Sequence, residues 1–255
     1  MSAGRPPCWA PPTTAAVSLG AAGLLGVGYR QIADLLEKQR LRRVYERYLS
    51  PAVLRSVLDD PALLQLGGAR KELTVFFSDI RGFTPYSETV GPMELTERLN
   101  EYYGEMIALA HARGATVDKL IGDSLMAFFG DPVAQPDHAL RAVLAALDTQ
   151  ERLRELAAEW RARGVHEFGV GIGIATGEVA VGNLGSERFV DYTVVGSVVN
   201  LAARLQGAAA AGEILIASRT YALVAEHIEA ESLGERTFKG IAGAHEVFRV
   251  LGRRP

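Results

Sequence analysis

The segment Val75–Thr84, VFFSDIRGFT, constrains this chain most, because a run of apolar residues delivers one carboxylate, Asp79, to the end of what reads as a buried strand. An ionised Asp beside so much apolar surface requires a cation, a basic partner or several N–H donors, since burial alone would raise its pKa and neutralise it. Arg81 follows as a candidate partner, and Gly82 lets the backbone turn so that N–H groups around Phe83 and Thr84 face an anion. A strand followed by an Asp-containing turn is the plainer reading of the same residues. A second segment, DKLIGDSLMAFFG from Asp118 to Gly130, sets two strand-like runs about Gly122-Asp123, a hairpin signal. If its strands neighbour the first in one sheet, Asp79 and Asp123 converge on a pair of hard divalent cations through oxygen ligands. Alone, Asp123 is simply a residue that turns favour.

The third segment is DYTVVGSVVNLAARLQ, Asp191–Gln206, a short strand running into a helix. Asn200 and Arg204 share one helical face, while Val198, Leu201 and Leu205 can serve the core. Taken alone, an exposed Asn and Arg on a helix are usually just solvated. Together the three segments resemble the class III nucleotidyl cyclases. The resemblance implies that Asp79 and Asp123 bind two divalent metal ions, Mg2+ or Mn2+, helped by the carbonyl of Ile80, and that the turn of Gly82, Phe83 and Thr84 holds a triphosphate. It further implies that Asn200 orients the ribose, that Arg204 stabilises charge on the α-phosphate, and that Lys119 and Thr193 read the purine. Lys239, in FKGIAGAHEVF, falls where the family has a lysine reaching the phosphates. Ser197 departs from the Asp of many bacterial relatives, at a position with no catalytic part.

Lys offers only donors, suited to adenine N1, and Thr can accept from the adenine 6-amino group, whereas guanine reverses the pattern. Guanylyl cyclases typically carry Glu and Cys at this pair. The sequence therefore reads as an adenylyl cyclase that converts ATP to 3′,5′-cyclic AMP and pyrophosphate in signal transduction. In the family each site lies between two catalytic domains, so a head-to-tail homodimer is expected. Two other classes are weighed against it: a non-catalytic nucleotide-binding module on the same fold, which normally lacks a metal Asp or the Arg, and a palm-type enzyme joining two nucleotides, which carries a GG-rich hairpin signature.

The formal net charge of −3, with Lys and Arg interspersed among Asp and Glu except near residues 38–47, argues against nucleic acid as a partner, and the single cysteine, Cys8, excludes a disulfide framework. Residues Trp9–Tyr29 contain no charged side chain and match the roughly 20 residues of a membrane-spanning helix. The Arg and Lys cluster from Arg30 to Arg47 then puts the rest of the chain on the cytoplasmic side of a cell membrane. A cleaved signal or a disordered tail is the alternative, and a start so near the span reads as a truncated or minimally anchored chain. The expected organisation is an N-terminal segment over 1–29, linker helices over 30–66 with a short parallel coiled coil, and a catalytic domain over 67–252. Ser50 and Pro51 are read as N-cap and first residue of a further helix.

Within the catalytic domain the patterns predict a strand at Leu73–Asp79, a helix at Pro92–Arg113, the hairpin at Ala115–Gly130, and a helix at Asp137–Arg163 capped by Asp137. Paired strands follow at Phe168–Thr176 and Glu178–Val181, then a short strand at Thr193–Val195 and a helix at Ser197–Gln206. A strand at Glu213–Ala217, a helix from Ser218, and final strands at Phe238 and Val247–Val250 complete the order. The fold class is α+β, helices on a largely antiparallel sheet. The resemblance makes this a ferredoxin-like, palm-type cyclase sandwich with an N-terminal helical extension.

Overall fold

Consecutive apolar residues in VFFSDI have a simple cause: Val75 and Phe77 face one hydrophobic layer, Phe76 and Ile80 the other, so the strand is buried on both sides. The computed structural model describes residues 36, 37, 39, 40, 50–59, 65–186 and 189–254. The chain divides into two units, Met1–Leu49 and Ser50–Pro255. Of the first unit, Leu36, Glu37, Gln39 and Arg40 are described, and all four are helical. The Trp9–Tyr29 span and most of the linker helix lie outside the described residues. Among those described, no helix is long and apolar enough to cross a membrane.

In the second unit the central strand β1 (Gly67–Arg81) lies between β3 (Ser124–Phe129) and β4 (Gly169–Ser186), with β2 (Thr116–Ile121) outside β3. On the other side of β4 come β6 (Ile214–Ala217), β8 (Ala244–Arg253) and β7 (Ile228–Thr237), while β5 (Phe189–Val195) pairs with the far half of β4. Among the described pairings only β4 with β6 is parallel. One face is covered by α3 (Pro92–Ala112), α4 (His138–Ala162) and α6 (Ser218–Val224) through Tyr102, Met106, Val143, Leu156, Trp160 and Val224. The other face is covered by α5 (Ser197–Ala208) through Ala202 and Leu205. Each large side chain buried in this way contributes roughly 1.5–3 kcal/mol.

Several local expectations need correction. The paired strands at Phe168–Thr176 and Glu178–Val181 are one continuous strand, because Gly177 makes no turn: a Cβ there would lie 2.8 Å from Val198 Cγ2, so the glycine serves the close approach of α5. β1 begins six residues before Leu73, since its start, Gly67–Glu72, pairs with Glu178–Asn183 of β4 although it buries little. β7 is an edge strand exposed over most of its length, its apolar signal limited to Ile228, Ala230 and Leu233; Phe238 lies just beyond it. Asp137 precedes α4 but makes no side-chain cap, its carboxylate accepting instead from Arg141 Nε at 2.7 Å. Ser50 precedes α1 (Pro51–Asp59), where its carbonyl accepts from Leu54 N at 3.0 Å, yet its hydroxyl is buried without a hydrogen-bond partner.

The seat of α5 on the sheet is set by Gly173. A Cβ there would stand 2.1 Å from Gln206 N and 2.3 Å from Ala202 O, so any side chain would lift the helix that carries Asn200 and Arg204.

Candidate functional site

Antiparallel pairing of Ser78 with Leu125 puts the end of β1 beside the start of β3, which carries Asp79 to the Gly122-Asp123 turn. Gly122 adopts φ 64°, the left-handed conformation that a two-residue hairpin demands. Tyr103 on α3 donates to the Gly122 carbonyl at 2.7 Å and so fixes the turn against the core. Asp79 accepts from Arg81 Nη1 at 3.1 Å on one oxygen and from Ser124 Oγ on the other. The Arg81 partnership expected from the sequence is therefore present. The same guanidinium also donates to the Gln206 carbonyl and lies against Gly171.

Burial pushes the Asp123 carboxyl above its ordinary value, the adjacent Asp79 charge adds to this, and the backbone N–H groups of Asp123 and Ile80 offset part of it. The groups that contribute most to it include no arginine or lysine. Burial, then Asp123 and Asp79, push the Tyr103 hydroxyl up to about 12. Two carboxylates that repel each other, with one arginine paired to Asp79, leave a deficit of positive charge. Among the described residues no three His, Cys, Asp or Glu side chains cluster around a metal position. The donors present are thus two carboxylates and backbone oxygens. That is the set a hard cation such as Mg2+ or Mn2+ accepts when water and phosphate complete its shell, and it is unlike a zinc site. The Ile80 side chain is in the core, so only its backbone is available here.

Gly82, at φ 72°, leads into the short helix α2 (Phe83–Ser87). The N–H groups of Phe83 and Thr84 open its first turn, where no intrahelical acceptor exists. Gly82 and Thr84 are exposed.

A separate cluster joins β2 to β5. Lys119 Nζ lies 2.5 Å from Asp191 Oδ2 and 3.3 Å from Asp118 Oδ1, and Thr193 Oγ1 donates to Asp118 Oδ2 at 2.5 Å. The register of β2 against β3 slips between Val117 and Lys119, which makes Asp118 the extra residue of a bulge. In a regular strand neighbours point to opposite faces; the bulge lets Asp118 and Lys119 meet one cluster. Burial lowers the Lys119 ammonium, but its hydrogen bond to Asp191 and the charges of Asp118 and Asp191 outweigh this and leave it raised. Burial pushes the Asp118 carboxyl up, and Thr193 and Lys119 pull part of it back.

Asn200 and Arg204 are exposed one turn apart on α5, and neither has a hydrogen-bond or ion-pair partner among the described residues. Lys239 is exposed in the turn between β7 and β8, at the opposite sheet edge from the β2–β3 hairpin. One protomer therefore assembles Asp79 with Asp123 and Lys119 with Thr193, and it does not bring Lys239 to either pair. Asp118, Asp191, Ser124 and Tyr103 were not among the residues read from the sequence. Asp191 was detectable, two residues before Thr193 on the same strand face. Asp118 was not, since it belongs with Lys119 only through the bulge.

The sequence matches the adenylate and guanylate cyclase catalytic domain over residues 68–252. It is 34% identical over 185 residues to adenylate cyclase 1 of Rhizobium meliloti, which covers 72% of this chain and 28% of that protein, so the chain spans well under half of this relative. The crystal structure of the adenylyl cyclase CyaB from P. aeruginosa superposes with a TM-score of 0.71 at 42% identity, covering 74% of this chain and 98% of that one. That of the guanylyl cyclase Cya2 superposes with a TM-score of 0.69 at 36% identity, covering 74% and 96%. With more than two thirds of its length matching the family and its fold superposing on solved cyclases, the chain belongs to the class III adenylate and guanylate cyclase catalytic domain family.

Proposed function

We propose that this protein is an adenylyl cyclase, forming 3′,5′-cyclic AMP and pyrophosphate from ATP at sites shared by two protomers. The observation that carries the ATP reading is the meeting of Lys119 and Thr193 at one cluster, a cationic donor beside a hydroxyl whose proton is already taken. That pair suits adenine N1 and its 6-amino group. The adenylate cyclase named among the relatives supports the reading, and the guanylyl cyclase neighbour makes base recognition the point to test.

Asp79, Asp123 and the Ile80 carbonyl would hold two divalent cations, which when bound lower the pKa of the ribose 3′-hydroxyl and neutralise the triphosphate. The first-turn N–H groups at Gly82, Phe83 and Thr84 would bind phosphate oxygens. Asn200 would orient the ribose, and Arg204 would meet charge growing on the α-phosphate. The 3′-oxygen bonds to the α-phosphorus, the bond to the β-phosphate breaks, pyrophosphate leaves, and the hydroxyl proton passes to water. Lys239 would enter from the loop between β7 and β8.

Turnover of labelled ATP and GTP with Mg2+ or Mn2+, the products identified, tests the reading. Cyclic AMP is the expected main product, and Lys119→Glu with Thr193→Cys is expected to move preference toward GTP. Unchanged ATP preference in an active double variant would show that these residues do not read the base.

The proposal extends to a catalytic domain over 67–252 facing the cytoplasm, a linker over 30–66 and an anchor at 9–29, supported by the uncharged run and the basic residues after it. The full chain is expected to stay with membranes and a version starting near Leu49 to remain in the supernatant. Release of the full chain by a high-salt wash without detergent would count against an inserted anchor.

A further inference from the structure

We infer that Asp118 is a positioning residue for base choice: it takes the proton of the Thr193 hydroxyl, so that Thr193 presents only lone pairs to the purine. The inference rests on the ATP reading above. Thr193 Oγ1 lies 2.5 Å from Asp118 Oδ2, and an ionised carboxylate only accepts, so the hydroxyl must donate to it. What remains to Thr193 is acceptance, which matches the adenine 6-amino group and mismatches the guanine 6-oxygen. A hydroxyl without such a partner rotates to suit either base.

Asp118 cannot touch the base itself, because its side chain has 0% exposure. Its second oxygen is buried 3.3 Å from the Lys119 ammonium, whose charge opposes the neutralising effect of burial and favours the purely accepting carboxylate. The bulge at Val117–Lys119 gives the arrangement its geometry, since it allows a residue adjacent to Lys119 to join the same cluster. One buried carboxylate thus orders both edges of the reader, the hydroxyl by hydrogen bond and the ammonium by charge.

The test is the ratio of kcat/KM for ATP to that for GTP in the full-length protein and in Asp118→Asn, Thr193→Val and the double variant. The amide of Asn can donate as well as accept, so it no longer dictates the direction of the hydroxyl. Asp118→Asn is expected to lower the ratio about tenfold, the size of one misdirected hydrogen bond, and to lower it no further in the Thr193→Val background. A purely structural role would reduce both substrates alike. An unchanged ratio in Asp118→Asn, or a full second drop in the double variant, overturns the inference. If the buried Asn is not tolerated, Asp118→Ser poses the same question, and an unchanged ratio in Thr193→Val alone overturns the inference whichever variant folds. A wild-type protein that prefers GTP removes the ATP reading and this inference with it. An ATP-preferring wild type whose ratio ignores Asp118 overturns this inference alone.

Discussion

Mixing inactive Asp79→Ala with inactive Arg204→Ala protein is expected to restore about one quarter of wild-type cyclase activity once subunits exchange. Asp79 sits with Asp123 at the β1 and β2–β3 corner, while Arg204 stands exposed on α5 with no hydrogen-bond or ion-pair partner among the described residues. In a head-to-tail dimer each site would draw the carboxylates from one chain and Lys119, Thr193, Asn200 and Arg204 from the other. A heterodimer of the two variants then has one intact site and one with both lesions. Random pairing makes half the dimers mixed, each with one of two sites working, which gives roughly a quarter of full activity. Alone, Arg204→Ala is expected to lose about 3 kcal/mol of transition-state stabilisation, roughly a hundredfold in rate. A solvated surface arginine loses under about 0.5 kcal/mol. Absence of recovery after proven exchange would mean that each site is built within one chain or that two sites cannot work independently.

Asp123→Asn is expected to cut metal-dependent turnover by at least about a hundredfold and yet make the metal-free protein more stable at neutral pH. Burial and the neighbouring Asp79 raise the folded Asp123 carboxyl above its unfolded value. The folded state therefore binds this proton more tightly than the unfolded chain does. Stability from this group is greatest below the ordinary carboxylate range of about 4 and falls as pH rises through the raised folded value. Thermal unfolding without divalent ions should show that decline in the wild type and a flatter profile in Asp123→Asn. Mg2+ or Mn2+ should raise the wild-type melting temperature and leave the variant nearly unmoved. A variant that gains as much from the cation as the wild type would place the cation elsewhere.

The local chemistry of this protein was readable from residue order alone. VFFSDI reads as a buried strand, Gly122-Asp123 as a turn, and the spacing of Asn200 and Arg204 puts them on one helical face, because these follow from side-chain period and backbone freedom. A charged Asp79 at the end of an apolar strand already required a partner, and Arg81 supplies it. Tertiary structure decided what depends on packing between distant segments. Gly177 looks like a turn residue until α5 lies on it, and β7 has only a weak apolar signal because most of an edge strand faces solvent. Asp118 joins Thr193, 75 positions away, only because a bulge in β2 turns it toward β5. A bulge is one extra residue against a partner strand, so it exists only in the pairing of β2 with β3 and leaves no mark in either strand's own sequence.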